Sequence, residues 1–323
     1  MANRELVTSL YEKMRLPTII APMFLISGPD LVIAAAKAGI IGCFPAPNAR
    51  TIDDLKGWLA KIDDELTGTD KEGMWGMNMI VHKSYDRFDA EMELVEQYKP
   101  KFVVTALGSP KRVLERVHAF GGKVFADVIS LEHARKAAEA GVDGLILVCS
   151  GAGGHTGNYS PLSFVEEVRR FYDGPLIVGG SVQNARSIAA LLALGADFAY
   201  MGTRFISCKE SLVNDDYREM LVRASMEDVV TSDAVSGVRA NWLKESLQKA
   251  GFDLTAKKGG TTEIDFSNIQ GEGKAWKDVW GAGHGVGATQ QIETVQQVVD
   301  ALADELETVK TVLADKLSAW PNQ

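Results

Sequence analysis

Short apolar, β-branched runs recur along the first two thirds of this chain, and amphipathic stretches fill the gaps between them. The runs are Thr18–Ala21, Ile40–Phe44, Met74–Ile80, Phe102–Ala106, Lys123–Val128, Gly144–Cys149, Pro175–Val178 and Phe198–Met201. Helical periodicity marks Pro29–Ala38, Ile52–Glu65, Lys111–Phe120, Leu131–Ala140 and Gln183–Leu194. Glycine closes several of these helices: Ala38-Gly39-Ile40, Ala140-Gly141-Val142-Asp143 and Leu194-Gly195-Ala196-Asp197. Only glycine takes the left-handed conformation of a helix stop without cost. Eight strand–helix units within about 200 residues predict a closed parallel (β/α)8 TIM barrel. An open doubly wound sheet is the alternative, because strand order is not written in one sequence.

From about Lys209 the rhythm changes. Asp215–Met226 and Val238–Ala250 read as helices, Lys257–Lys274 as a polar loop, and Ile292–Leu317 as one long amphipathic helix. The expected division is a barrel over 1–208 and a mostly helical region over 209–323, part of it covering the barrel mouth. With 323 residues, 46% of them hydrophobic, the chain can build a core of that size.

A net charge of −9 and a pI near 5.2 speak against nucleic acid or an anionic membrane as partner. No apolar run of ~18 residues spans a bilayer. Residues Met1–Arg15 are polar and of mixed charge, unlike a signal peptide, so a cytoplasmic location is expected. The three cysteines, Cys43, Cys149 and Cys208, are widely separated and read as reduced thiols rather than a disulfide framework or zinc site. No metal is expected. Oligomeric state is not set, and a homo-oligomer stays open.

Barrel enzymes often hold a phosphate in the loops after strands seven and eight. Here the seventh run leads into Gly179, Gly180 and Ser181, and the eighth into Gly202 and Thr203. Glycine lets backbone N–H groups approach an anion, and Ser or Thr adds a hydroxyl. Ordinary turn geometry would also use glycine, but two such turns at the two expected strand ends favour the phosphate site.

After the sixth run comes Cys149-Ser-Gly-Ala-Gly-Gly-His155-Thr-Gly157. A histidine in a glycine-rich loop at the C-terminal end of a barrel strand stands where catalytic groups sit, and its titration range suits proton transfer. His118 and His133 fall in helices and read as surface or packing residues, while His82 follows the third strand. His284 lies in Gly281-Ala-Gly-His-Gly-Val-Gly287, which lacks the preceding strand of a dinucleotide fingerprint. It reads instead as a loop approaching a cofactor. The wider stretch Trp276–Gly287, with two tryptophans and four glycines, is expected to close over the mouth.

Together these landmarks resemble the nitronate monooxygenase family, whose flavin-dependent enoyl-ACP reductases and NADH:quinone reductases are close relatives. The resemblance rests on Ala21-Pro22-Met23, Gly76-Met77-Asn78, Ala152–Gly157, Gly179-Gly180-Ser181 and Met201–Phe205, with a looser match at Trp280–Gly283. It implies FMN as cofactor. The backbone of Ala21, Pro22 and Met23 and the amide of Asn78 would lie against the isoalloxazine ring. Gly179, Gly180, Ser181, Gly202 and Thr203 would hold the phosphate, with Gly154 and Met201 of the same motifs also at the cofactor. His155 would sit beside the reactive face. Near the end of the fifth run, where some relatives place a flavin-contacting lysine, this chain has Asp127. A carboxylate there would disfavour anionic reduced flavin, unless it turns away or is protonated. The implied reaction is oxidation of an alkyl nitronate or nitroalkane by O2 to a carbonyl compound and nitrite. The rivals are an NAD(P)H-dependent reductase of quinones or enoyl thioesters on the same scaffold, and a non-redox phosphate-binding barrel.

Overall fold

In the computed structural model, which describes residues 2–233, 235, 237–252 and 278–319, each apolar run becomes a strand. They are β1 (Thr18–Ile20), β2 (Ile41–Pro45), β3 (Trp75–Ile80), β4 (Phe102–Ala106), β5 (Lys123–Val128) and β6 (Gly144–Val148). After a two-residue strand, β7 (Gly154–His155), come β8 (Leu176–Gly179), β9 (Phe198–Met201), β10 (Val229–Ser232) and β11 (Ala240–Leu243). Eight of them close into a barrel in the order β1-β2-β3-β4-β5-β6-β8-β9, and β1 pairs parallel with β9, Ile19 opposite Tyr200. That last pairing excludes the open sheet.

The Gly-x-Asp repeats fix neighbouring strands. Gly141 and Gly195 take φ of 90° and 104°, which turns each chain from helix toward the next strand. Asp143 then donates its N–H to Val124 O at 2.8 Å and accepts the Val124 N–H at 2.9 Å. Asp197 repeats the exchange with Leu176, both bonds at 2.8 Å. His118 is accounted for here: its Nε2 lies 2.7 Å from Asp143 Oδ2 on the surface.

Val295–Ser318 forms one helix, opened by a Thr294–Gln297 capping box. Its buried side chains, Val295, Val298, Val299, Leu302 and Leu306, follow helical spacing and join the main core. They pack against the helices Pro29–Ala38 and Ala185–Ala193, which follow the first barrel strand and precede the last. This is the place of the eighth outer helix. Each such buried aliphatic contributes about 1.5–3 kcal/mol. At the opposite end of the chain, the helix Ala2–Tyr11 sets the Tyr11 ring edge-on to Phe198. None of the described helices is long and apolar enough to cross a membrane.

The expected helix over Val238–Ala250 is corrected. Ala240–Leu243 is a strand, and only Lys244–Lys249 is helical. In that strand Asn241 and Trp242 bond to opposite neighbours, Ala152 O and Ser232 O. Pairing across the sheet β10-β11-β7 outweighs local periodicity in so short a stretch. The expected loop at Lys257–Lys274 lies outside the described residues.

Candidate active site

The first and last barrel strands are tied at their C-terminal ends, where the Ala21 N–H donates to Met201 O at 2.9 Å. The chain then turns sharply through Pro22 and Met23, and Leu25 takes a left-handed φ of 61°. Buried Asn48 holds that turn. It accepts the Leu25 N–H at 2.8 Å and donates to Met23 O at 2.9 Å and Ser27 O at 2.7 Å. Asn48→Ala is therefore expected to lower stability by about 2–4 kcal/mol, since each buried group left unpaired costs about 1–3 kcal/mol. The urea midpoint measures it, and a change within error would show that the turn holds without Asn48.

Gly202 comes next to Met23: a Cβ there would meet the Met23 sulfur at 3.3 Å and the Ala21 Cβ at 3.7 Å. Beyond it, Thr203 Oγ1 accepts the Gly283 N–H at 2.9 Å, leaving the hydroxyl proton to donate elsewhere. At β8, Gly180 has φ 119°, and a Cβ would lie 2.8 Å from Ser150 O and 2.9 Å from Cys149 O. Only glycine fits. Ser181 follows at a left-handed φ of 58°, exposed, a strained conformation for a residue with a side chain.

The loop after β6 is more ordered than its glycines suggest. Gly154 and His155 form β7, opposite Asn241 and Ala240 of β11. Asn241, buried, donates to Ala152 O at 2.7 Å and accepts the Thr231 hydroxyl at 2.6 Å. His155 thus stands on paired backbone. Its side chain keeps accessible surface yet lies deep among protein atoms, and the loss of hydration lowers its pKa. At neutral pH the imidazole is neutral.

Gly283 and His284 contact the loops at this end, their N–H groups donating to Thr203 Oγ1 and Gly151 O. Tyr217 stacks on Trp280 with centroids 4.8 Å apart and donates its hydroxyl to Gly281 O at 2.5 Å. Arg204 and Glu293 form a buried ion pair at 2.5 Å just before the long helix. Trp276 and Lys277 lie outside the described residues.

Deeper in the barrel stand Asn78, Asp127, Tyr200 and Cys43. Asn78 donates to Val104 O at 3.2 Å. Burial pushes the Asp127 carboxyl up to about 7, and burial followed by the Asp127 charge raises both the Tyr200 phenol and the Cys43 thiol. Asp127 Oδ1 and the Tyr200 hydroxyl are buried without a hydrogen-bond partner among the described residues. Cys149 is also buried, its thiol raised to about 12, so it is no nucleophile at neutral pH.

The residues singled out in the sequence thus fall into two groups. Ala21, Pro22, Met23, Gly154, His155, Gly180, Ser181, Gly202 and Thr203 gather around the C-terminal mouth, while Asn78 and Asp127 sit lower. Met201 has its side chain wholly in the core, and Gly179 faces Tyr200, so each offers only backbone. Asn48, Tyr217, Asn241 and the Arg204–Glu293 pair escape sequence reading, because each acts through a partner distant in the chain.

A family model described as nitronate monooxygenase matches residues 65–305. The chain belongs to the nitronate monooxygenase family, a family of oxidoreductases. It is 26% identical to a nitronate monooxygenase of Paraburkholderia phytofirmans, over 77% of this chain and 79% of that one. A (3aS,4S,5R,7aS)-5-hydroxy-7a-methyl-1-oxo-octahydro-1H-indene-4-carboxyl-CoA dehydrogenase of Rhodococcus jostii is 29% identical over 72% of this chain, and the match spans only 63% of that relative. Among solved structures, FabK from Thermotoga maritima superposes with a TM-score of 0.76 at 26% identity, covering 95% of this chain and 98% of FabK.

Proposed function

We propose that this family member is an FMN-dependent nitronate monooxygenase that oxidises alkyl nitronates with O2 to carbonyl compounds and nitrite. The observation that carries the reading is His155, neutral and accessible, on a paired strand at the glycine-lined mouth. The site suits a flavin: the turns at Gly179–Ser181 and Gly202–Thr203 suit one terminal phosphate, and buried polar atoms of Asp127 and Tyr200 have no hydrogen-bond partner among the described residues. When bound, the flavin supplies the electron-accepting chemistry by which an electron-rich nitronate is oxidised.

The protein's own part is positioning, proton handling and exclusion of water. His155 Nδ1 or Nε2 donates to the nitro oxygens of a nitronate, or takes the α-proton of a neutral nitroalkane as general base. Asn48 and Asn241 keep the two walls of the mouth in place. The segment from Trp280 to Gly287, through its contacts with Gly151, Gly153 and Thr203, forms a roof over the mouth, and we assign to it the exclusion of bulk water. On this reading residues 280–287 cover the barrel mouth, while Val295–Ser318 belongs to the outer ring.

A second reading, an NAD(P)H-dependent reductase of quinones or enoyl thioesters, draws on the likeness to FabK and to a carboxyl-CoA dehydrogenase. Both readings share the cofactor. The protein is expected to purify yellow with one FMN per chain, checked by the visible spectrum and by chromatography of the released flavin. FAD in its place, or a colourless protein that takes up no flavin on reconstitution, would sink both and favour a non-redox barrel.

A further inference from the structure

We propose that His284, carried by the segment after residue 279, is a side-chain ligand of the cofactor's anionic end, facing Ser181 across Gly151. The inference rests on the FMN reading and adds a residue outside the barrel loops to it.

Gly151 shows the convergence. A Cβ on that residue would lie 2.1 Å from Ser181 Oγ and 3.0 Å from His284 Nδ1. Two polar side chains from distant parts of the chain therefore meet beside Gly151, and Ser181 can pack there only because residue 151 has no side chain. Its φ of 82° suits glycine for the same turn. The imidazole is held there by its backbone. The His284 N–H donates to Gly151 O at 3.0 Å, and Gly283 before it is tied to Thr203 Oγ1. On the far side, a Cβ on Gly285 would meet the Gln183 Cβ at 2.7 Å, so this flank is packed as well. His284 itself is only partly buried, so a ligand can reach it.

The surrounding chemistry suits an anion. The side chains around the spot are the Ser181 and Thr203 hydroxyls and the imidazole, none of them a carboxylate. The N–H groups of Ser181, Gly283 and His284 are taken up by Gly151 O and Thr203 Oγ1, and the Ser181 hydroxyl lies 3.4 Å from Ser150 O. The imidazole and the Thr203 hydroxyl are therefore the donors left for a ligand. Arg204, the cation nearest in sequence to Thr203, is engaged in its buried pair with Glu293. The strained Ser181 and the Cβ-intolerant Gly180 bend the β8 turn toward the same place. An imidazole N–H there gives the phosphate a hydrogen bond to a charged acceptor, stronger than one between neutral groups. The roof over the site would then also grip the cofactor.

The test uses apo-protein titrated with FMN and with riboflavin, which lacks the phosphate, following flavin fluorescence. Wild type, His284→Ala and His284→Gln are compared, with thermal melts to confirm folding. His284→Ala is expected to weaken FMN binding by ~10-fold or more, the range for a hydrogen bond to a charged group, and leave riboflavin unchanged. His284→Gln, which keeps a donor, should recover part of the loss. Equal weakening for both ligands would mean a structural role, and an unchanged FMN preference in His284→Ala would mean no role; either overturns the inference. A wild type with no preference for FMN over riboflavin would instead overturn the underlying phosphate reading.

Discussion

His155→Ala is expected to fold, retain flavin with a near-native spectrum, and lose ~100-fold or more of nitronate turnover, the usual range for a lost acid–base or orienting group. Folding should survive because β7 is held by backbone pairing to Ala240 and Asn241, which does not use the imidazole. Desolvation lowers the His155 pKa below its ordinary value of 6.5. The imidazole is therefore neutral above that value and becomes a cation only at lower pH. If it acts as a base, turnover of neutral nitroalkanes should fall on the acid side with a midpoint below 6.5. Nitronates, which need no deprotonation, should lose less in His155→Ala than neutral nitroalkanes do. Equal losses would assign positioning rather than proton removal, and undiminished activity with both substrates would remove His155 from the mechanism.

Asp127→Asn is expected to stabilise the apo-protein, and more so as pH rises. Burial lifts this carboxyl from 3.8 to about 7 in the folded chain. Below the unfolded value both states hold the proton and the group contributes nothing. Between the two values the unfolded chain releases a proton that the folded chain keeps, so stability falls with rising pH. Above about 7 the full penalty stands. The advantage of asparagine should therefore grow by roughly 2 kcal/mol between about pH 5 and pH 8, discounted for the water that reaches this partly accessible residue. Urea midpoints at the two pH values decide it. An equal gain at both would mean that asparagine acts by packing or hydrogen bonding and not by removing a buried charge.

The barrel was legible because its signals are local. Apolar runs set the strands, and Gly39, Gly141 and Gly195 at left-handed φ mark three of the turns back to the sheet. The glycine-rich landmarks also fall at the mouth, since a strand's C-terminal end can be counted directly from the run that precedes it. The small sheet was not legible. β7 is two residues inside a glycine loop, and β11 is four buried residues in a stretch whose apolar spacing equally suits a helix. β7 is a strand only through its pairing with β11, 85 residues or more away, and β11 is fixed between β7 and β10, whose Ser232 lies opposite Ala240. The seat of the long helix was hidden for a similar reason. Periodicity shows that Val295, Val298, Val299, Leu302 and Leu306 share a face, but not that the face fills the gap between the helices Pro29–Ala38 and Ala185–Ala193. His284 shows the same limit: its motif suggested nearness to a cofactor, while its neighbours Gly151 and Ser181 appear only in three dimensions.

Anaerobic mixing of the flavin-loaded protein with propionate 3-nitronate, against NADH and NADPH in parallel, addresses the proposed function most directly. The nitronate should change the visible flavin absorbance faster than either nicotinamide, and admission of air should restore the oxidised spectrum with release of nitrite. A flavin left unchanged by the nitronate but bleached rapidly by NADH or NADPH would contradict this and make the protein a reductase.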